Sequence, residues 1–62
     1  MAIEEFERYG FSSKTTVLYR GERHKVISVN FDENILAIYL DRKEGFFWVR
    51  CESCDDIKEN LL

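Results

Sequence analysis

Two cysteines and one histidine are the residues of this 62-residue chain whose chemistry is most specific. Cys51 and Cys54 stand in a C-x-x-C spacing, and His24 is the single histidine. A structural zinc site needs four ligands of the cysteine or histidine type. The chain offers these three, with Asp55 or Asp56 as a poor fourth ligand, so they form only a weak metal candidate. We expect no bound metal and no cofactor.

The same spacing occurs in redox proteins of the thioredoxin type, which place it within a βαβ unit. No βαβ pattern is present here. Four acidic residues surround the cysteines and are expected to raise the pKa of both thiols, which lowers their reactivity. We expect instead that Cys51 lies in the core beside Phe47 and Val49, and that Cys54 packs on a terminal helix. The acidic residues are Glu52, Asp55, Asp56 and Glu59.

Aromatic residues form the second group with a possible binding role. Phe46, Trp48 and Arg50 alternate along one segment, so in a strand they share one face. Tyr39 and Tyr19 are predicted to lie on the same surface of neighbouring strands. An aromatic surface beside an arginine can stack on bases, hold a cation or dock a peptide.

An apolar stripe on the N-terminal segment competes for that aromatic surface. Ile3, Phe6 and Tyr9 recur every three residues and need an apolar face to cover. We expect the helix that carries them to pack on the aromatic face and form a second small core. Partial cover and a free ligand surface are the alternatives.

Basic residues cluster around one predicted turn. Residues 14–50 carry seven Lys and Arg against five Asp and Glu, a net charge of +2. Such a cluster could follow a phosphate backbone. The whole chain, however, has a net charge of −3, so strong non-specific nucleic-acid binding is not expected. The clustered residues are Lys14, Arg20, Arg23, His24 and Lys25.

Catalytic patterns are weak. The three glycines lie far apart, which excludes a glycine-rich phosphate loop. Acidic pairs such as Asp55 and Asp56 are adjacent in sequence, and adjacent carboxylates converge on a reacting atom only in a pocket that a chain this short has little room to build. We therefore expect the protein not to be an enzyme.

The elements that must position these residues are mostly strands. Residues 2–9 are predicted to form a short helix that ends at Gly10. Residues 15–51 are predicted to form an antiparallel meander with short polar turns between strands. The pattern Ser53-x-x-Asp56 resembles a helix start, so a short helical turn is predicted over residues 54–61. The predicted strands cover residues 15–20, 25–31, 35–40 and 46–51, and in the second of them Ile27, Val29 and Phe31 are predicted to share one face. Residues 1–62 are predicted to form a single domain.

A small sheet of this kind buries one face by curling on itself, which favours a strongly bent barrel. The run VLYRGERHKVISVNFDENILAIYL, followed by FFWVRC, resembles the small SH3-like barrels, in particular Tudor and KOW modules. The resemblance lies in the strand rhythm, the hairpin at residues 32–34 and a Trp-Val strand that runs into a helical turn. It implies a mainly β fold of four to five strands, and it identifies no individual family.

These observations favour a small non-catalytic interaction module that binds a protein partner or associates with itself. The alternative is a nucleic-acid-binding accessory protein. No segment is long and apolar enough to cross a membrane, and the acidic N-terminus does not resemble a secretion signal. We therefore expect a cytoplasmic protein with reduced thiols. The candidate binding residues are Tyr19, Arg20, Arg23, Lys25, Tyr39, Phe46, Trp48 and Arg50.

Overall fold

The computed structural model describes residues 1–60, in which five antiparallel strands follow one short helix. The predicted helix and the mainly β fold are confirmed. Residues 61 and 62 lie outside the described part of the chain. In chain order the elements are α1 (Ile3–Arg8), β1 (Thr15–Tyr19), β2 (Glu22–Asn30), β3 (Ile35–Asp41), β4 (Gly45–Arg50), a 3₁₀ turn (Cys51–Ser53) and β5 (Cys54–Glu59).

The strand order across the sheet is β4-β3-β2-β1-β5. The first four strands form the predicted meander, and β5 returns to pair with the free side of β1. β4 and β5 are therefore the two edges. Because they do not pair with each other within residues 1–60, the sheet is not closed into the predicted barrel.

Short polar turns connect the consecutive strands of the meander. Arg20 and Gly21 both have positive φ, 50° and 83°, which is the geometry of a two-residue type I′ hairpin. In the next turn, the side-chain oxygen of Asn30 accepts hydrogen bonds from the backbone N–H groups of Asp32 and Glu33 at 2.9 and 3.1 Å. These backbone angles and local hydrogen bonds shape the first two turns, and the geometry of a turn sets the register of its hairpin.

The inner face of the sheet carries the core. Ile38 is fully buried and stands between Val26 of β2 and Phe47 of β4 in register. Leu36 is likewise buried, opposite Val49. The buried apolar cluster comprises Phe6, Val17, Val26, Leu36, Ile38, Val49, Cys51 and Cys54.

Helix α1 is anchored on this inner side. Its six residues are too few to persist alone, so packing must hold it. Phe6 is fully buried in the core, with its ring 5.5 Å from that of Phe11 and 5.0 Å from that of Phe31. The Met1 ammonium donates to the carbonyl oxygens of Cys51, at 2.9 Å, and of Cys54. The start of the chain is thereby tied to the 3₁₀ turn.

The predicted helical turn over residues 54–61 is wrong for its described part. The turn comes earlier, at Cys51–Ser53, and Cys54–Glu59 is a strand. Pairing with β1 overrides the local helix-start pattern, with Tyr19 opposite Cys54 and Thr15 opposite Glu59. Residue 61 of that prediction lies outside the described residues.

A bulge also overturns part of the predicted alternation in β2. Ile27 was expected on the same face as Val29, but the register shifts between Val26 and Ser28, so that Ile27 has no partner in the β3 ladder. An extra residue in one strand moves the side chains after it to the opposite face. Val26 is therefore buried, whereas Ile27 is 45% exposed.

Candidate interaction surface

Strand β4 is an edge of the sheet, and within residues 1–60 no strand pairs with its outer side. The backbone N–H of Cys51 donates to the carbonyl oxygen of Asn34 at 3.0 Å, which fixes the hydrogen-bonding phase between β3 and β4. Hydrogen-bonded pairs alternate along an antiparallel ladder, so Phe46, Trp48 and Arg50 direct their N–H and C=O groups away from β3. A further strand can bind to these groups.

The same strand presents aromatic side chains on the outer face of the sheet. Phe46 is 51% exposed and Trp48 is 45% exposed. Tyr39, directly opposite Phe46 on β3, is 41% exposed. Arg50 is exposed at the end of β4. The structure thus brings together the predicted aromatic face of β4 and one of the two predicted tyrosines.

Helix α1 does not cover this aromatic face, contrary to our expectation. Its buried residue, Phe6, packs in the core on the inner face, and the helix lies beside the 3₁₀ turn. The physical reason is that the open end of the inner core needs a cover, and a fully buried phenylalanine provides it. The outer aromatic face is left exposed.

Tyr19 belongs to the opposite face, which corrects its predicted place beside Tyr39. Its ring packs edge-on against Phe47 at 5.7 Å and against His24 at 6.4 Å. The guanidinium of Arg20 lies 5.3 Å from the centre of the Tyr19 ring. Tyr19 and Arg20 therefore form a separate small cluster at the end of the inner face.

The predicted basic cluster is divided between different partners. Arg23 donates to the carbonyl oxygen of Asp56 at 2.6 Å and pairs with the Asp56 carboxylate, so it joins β2 to β5 across β1. It also contacts the Thr16 hydroxyl at 3.3 Å. Lys25 is exposed on β2 and is the member of the cluster nearest in sequence to the bulge. Arg23 thus links strands of this chain.

The other edge, β5, is protected. Four of its six residues are charged, namely Asp55, Asp56, Lys58 and Glu59. Asp56 has a positive φ of 45°, and the register with β1 shifts beside it. Charges and irregular backbone are the usual means by which natural sheets discourage pairing at an edge.

Glu59 links the β5 edge to the start of β1 and to the segment before it. Its carboxylate accepts hydrogen bonds from the hydroxyls of Tyr9 at 2.7 Å, Thr15 at 2.6 Å and Ser12. These donors stabilise the charged carboxylate and lower the pKa of Glu59. The same hydrogen bond to Glu59 raises the pKa of Tyr9.

Both cysteines are free, buried thiols. Burial raises the pKa of the Cys54 thiol to about 11, and burial together with Glu52 raises the pKa of the Cys51 thiol. The predicted direction of both shifts is therefore confirmed, with burial as the largest cause. Cys51 lies in the core as predicted, and Cys54 lies at the start of a strand rather than on a helix.

His24 does not join the cysteines. One ring nitrogen lies 2.9 Å from the carbonyl oxygen of Tyr39, and the other lies 3.6 Å from the Glu22 carboxylate. Among residues 1–60, no three His, Cys, Asp or Glu side chains are placed to hold a metal ion.

A groove that the sequence did not reveal lies beside the bulge. It has a volume of about 500 Å³ and runs between residues 11–13 and the middle of β2, with Ile27 in its wall. Strict alternation along β2 would have put Ile27 in the core. A bulge depends on pairing with β3, so no signal in β2 alone could have located this groove.

Comparison with known proteins yields no relative: no family model matches the chain, and no curated protein or solved structure matches it. None of the helices within residues 1–60 has the length and hydropathy needed to span a bilayer.

Proposed function

We propose that this protein is a non-catalytic interaction module that binds protein by adding a strand at the β4 edge. The observation that carries the proposal is an unprotected edge strand with half-exposed Phe46 and Trp48 on it. In this binding mode, backbone hydrogen bonds supply affinity and alternate side chains supply specificity.

The side chains at this edge are suited to such a role. Aromatic residues and arginine are enriched in interface hot spots, and lysine and glutamate are depleted there. Phe46, Trp48, Tyr39 and Arg50 match that composition. Complete burial of one such aromatic side chain contributes roughly 1.5–3 kcal/mol, so covering the exposed halves of two of them is a gain of similar size.

A non-catalytic role is supported by how the chemically specific groups are engaged. Both thiols are buried with raised pKa values, and the His24 ring contacts Tyr39 and Glu22. These groups stabilise the fold, and the exposed aromatic residues are left as the surface for recognition.

Protein binding is favoured over nucleic-acid binding by charge. Arg23 is paired with Asp56, and the net charge of the chain is −3. Backbone recognition of nucleic acid depends on several unpaired cations that neutralise phosphates. Nucleic-acid binding is therefore kept as an outcome of the test below.

We also propose an SH3-like arrangement and a cytoplasmic location. The first is supported by the five-strand order and the 3₁₀ turn before β5. The second is supported by two free cysteines, since secreted proteins of this size usually carry disulfides.

The test compares protein capture by three immobilised forms: the wild type, Trp48→Ser and Ile27→Ser. Trp48 and Ile27 are each 45% exposed, so the second variant controls for loss of an exposed apolar side chain away from β4. We expect cell-extract proteins, or added copies of this chain, to be retained by the wild type and by Ile27→Ser. Retention by Trp48→Ser should fall about tenfold, as expected for the loss of one interface anchor.

Trp48 is the single tryptophan, so its fluorescence reports binding directly. The proposal would be contradicted if all three forms retained equal amounts of protein. It would also be contradicted if the wild type retained no protein and its Trp48 emission did not change when extract or further copies of the chain were added. Salt-sensitive binding of single-stranded oligonucleotides, with no protein retained, would replace it with the nucleic-acid alternative.

A further inference from the structure

We infer that the strand added at the β4 edge is β4 of a second copy of this chain, paired antiparallel about a twofold axis. This inference rests on the proposed function and names the partner. Two copies related in this way pair the same edge of each chain and form one continuous sheet, closed at two subunits.

Hydrogen-bonding geometry limits the possible registers. Phe46, Trp48 and Arg50 direct their backbone groups outward, so these residues must meet residues of the same kind on the second copy. About a twofold axis perpendicular to the sheet, each side chain also meets one on the same face. Registers that slip by one residue fail both conditions.

Side-chain chemistry selects one of the permitted registers. With Phe46 opposite Trp48 of the second copy, aromatic residues meet in two symmetric pairs. The same register brings Arg50 to the turn just before β4 of the second copy, where Glu44 lies, so opposite charges also meet twice. Aromatic pairs and opposite-charge pairs both stabilise neighbouring strands. A register with Arg50 opposite Arg50 places like charges together and is disfavoured.

Glu44 and Arg50 are available for this pairing. Both are exposed, and among residues 1–60 neither forms an ion pair. Glu44 ends the turn before β4 and Arg50 ends β4, so the length of the strand lies between them and they form no ion pair with each other. A second copy running in the opposite direction brings each of them to its complement.

The inner face also fits this register. Phe47 is 36% exposed at the margin of the core, and it meets Phe47 of the second copy. Val49 meets Gly45 of the second copy, where the absence of a side chain leaves room. The paired strands have only six residues each, so the interface is small. We expect a reversible dimer with a dissociation constant on the order of 0.1 mM.

The β5 edge does not compete as the partner of β4. Pairing β4 with β5 would be head-to-tail, so it would not close at two subunits. Asp55, Asp56 and Glu59 would then lie beside the aromatic residues of β4, and the irregular backbone at Asp56 interrupts the ladder.

The experiment is sedimentation velocity on charge-reversal variants. Glu44→Arg leaves arginine at both positions of the pair, and Arg50→Glu leaves glutamate at both. Each single variant therefore places like charges opposite each other in its own dimer, and we expect its dissociation constant to rise about tenfold. An equimolar mixture of the two variants restores two opposite-charge pairs, so it should associate as tightly as the wild type. The double variant should do the same.

Failure of this inference can be distinguished from failure of the proposed function. A wild-type protein that stays monomeric at about 1 mM, ten times the expected dissociation constant, would overturn the inference. A mixture that associates no better than either variant alone would overturn the register. Suppose that either of these two results is found, but that Trp48→Ser fails to retain a protein that the wild type captures. The β4 edge then binds a different protein, and the proposed function survives. Melting curves of each variant check that its fold is retained.

Discussion

The two edges of the sheet have opposite character. β4 carries one charged residue among six, Arg50, and exposes Phe46 and Trp48. β5 carries four charged residues among six, and its backbone is irregular at Asp56. Natural sheets usually protect an edge that must stay unpaired, as β5 is protected here.

The edges also differ in what fastens them to the rest of the chain. On β5, Glu59 accepts hydrogen bonds from three hydroxyls and Asp56 pairs with Arg23, so its charges stabilise the fold. On β4, Phe46, Trp48 and Arg50 stay exposed within residues 1–60. Side chains on β5 are therefore expected to affect stability, whereas those on β4 are expected to affect association.

The largest expected effect comes from the core that supports both edges. Ile38 is fully buried, so Ile38→Ala should reduce the free energy of unfolding by about 2–4 kcal/mol. Ile27→Ala, at an exposed position, is the control and should cost less than about 1 kcal/mol. Urea unfolding measures both. An unchanged midpoint for Ile38→Ala would show that the face assigned to β3 is wrong.

A charge placed on the β4 edge should weaken dimer association while leaving the stability of the monomer almost unchanged. In Trp48→Lys, the dimer dissociation constant should rise at least about tenfold, since lysine is a typical protector of edge strands. The free energy of unfolding of the monomer should change by less than about 1 kcal/mol, because the side chain is half exposed. Sedimentation and urea unfolding of the same sample measure the two. A large loss of stability with unchanged association would reverse the roles of the two edges.

Acid should weaken the β5 edge through Glu59. Hydrogen bonds lower the pKa of Glu59 in the folded protein, so its contribution is present above the ordinary glutamate pKa and is lost as pH falls through the lowered value. Glu59→Gln should therefore lower the melting temperature at pH 7, and the difference from wild type should shrink below about pH 4.3. A difference that stays constant from pH 7 to strongly acidic solution would exclude a role for the carboxylate charge.

The smallest effect is expected from the ion pair across β1. The Asp56 side chain is 57% exposed, so Arg23→Gln should cost less than about 1 kcal/mol at moderate salt. Lys43→Ala, in an exposed turn, is the control and should be silent. Thermal melts at low and high salt test this, because screening should reduce the wild-type advantage. A loss as large as that of Ile38→Ala would mean that β5 depends on this pair.

Local signals predicted much of this fold. Short polar segments marked the turns, and the spacing of Ile3, Phe6 and Tyr9 marked α1. The alternation of Phe46, Trp48 and Arg50 predicted the face that the structure exposes. These features depend on residues that are close together in the sequence, so the sequence alone can predict them.

Features that depend on pairing between strands far apart in the sequence could not be predicted from the sequence. β5 forms because the free side of β1 needs a partner, and the apparent helix start at Ser53 gave no sign of it. The bulge at Ile27 depends on the register with β3. The face on which α1 packs depends on which apolar surface remains uncovered once the sheet has formed. The exposure of Trp48 therefore became evident only from the structure.

Amide hydrogen exchange, followed by NMR at two protein concentrations, shows whether β4 is the self-associating edge. In dilute protein, the outward N–H groups of Phe46, Trp48 and Arg50 should exchange rapidly. At about 1 mM, well above the expected dissociation constant, these three amides should become protected, and the β5 amides should not change. Equal exchange of the three β4 amides at both concentrations, or protection that appears on β5 instead, would contradict the assignment of β4 as the self-associating edge.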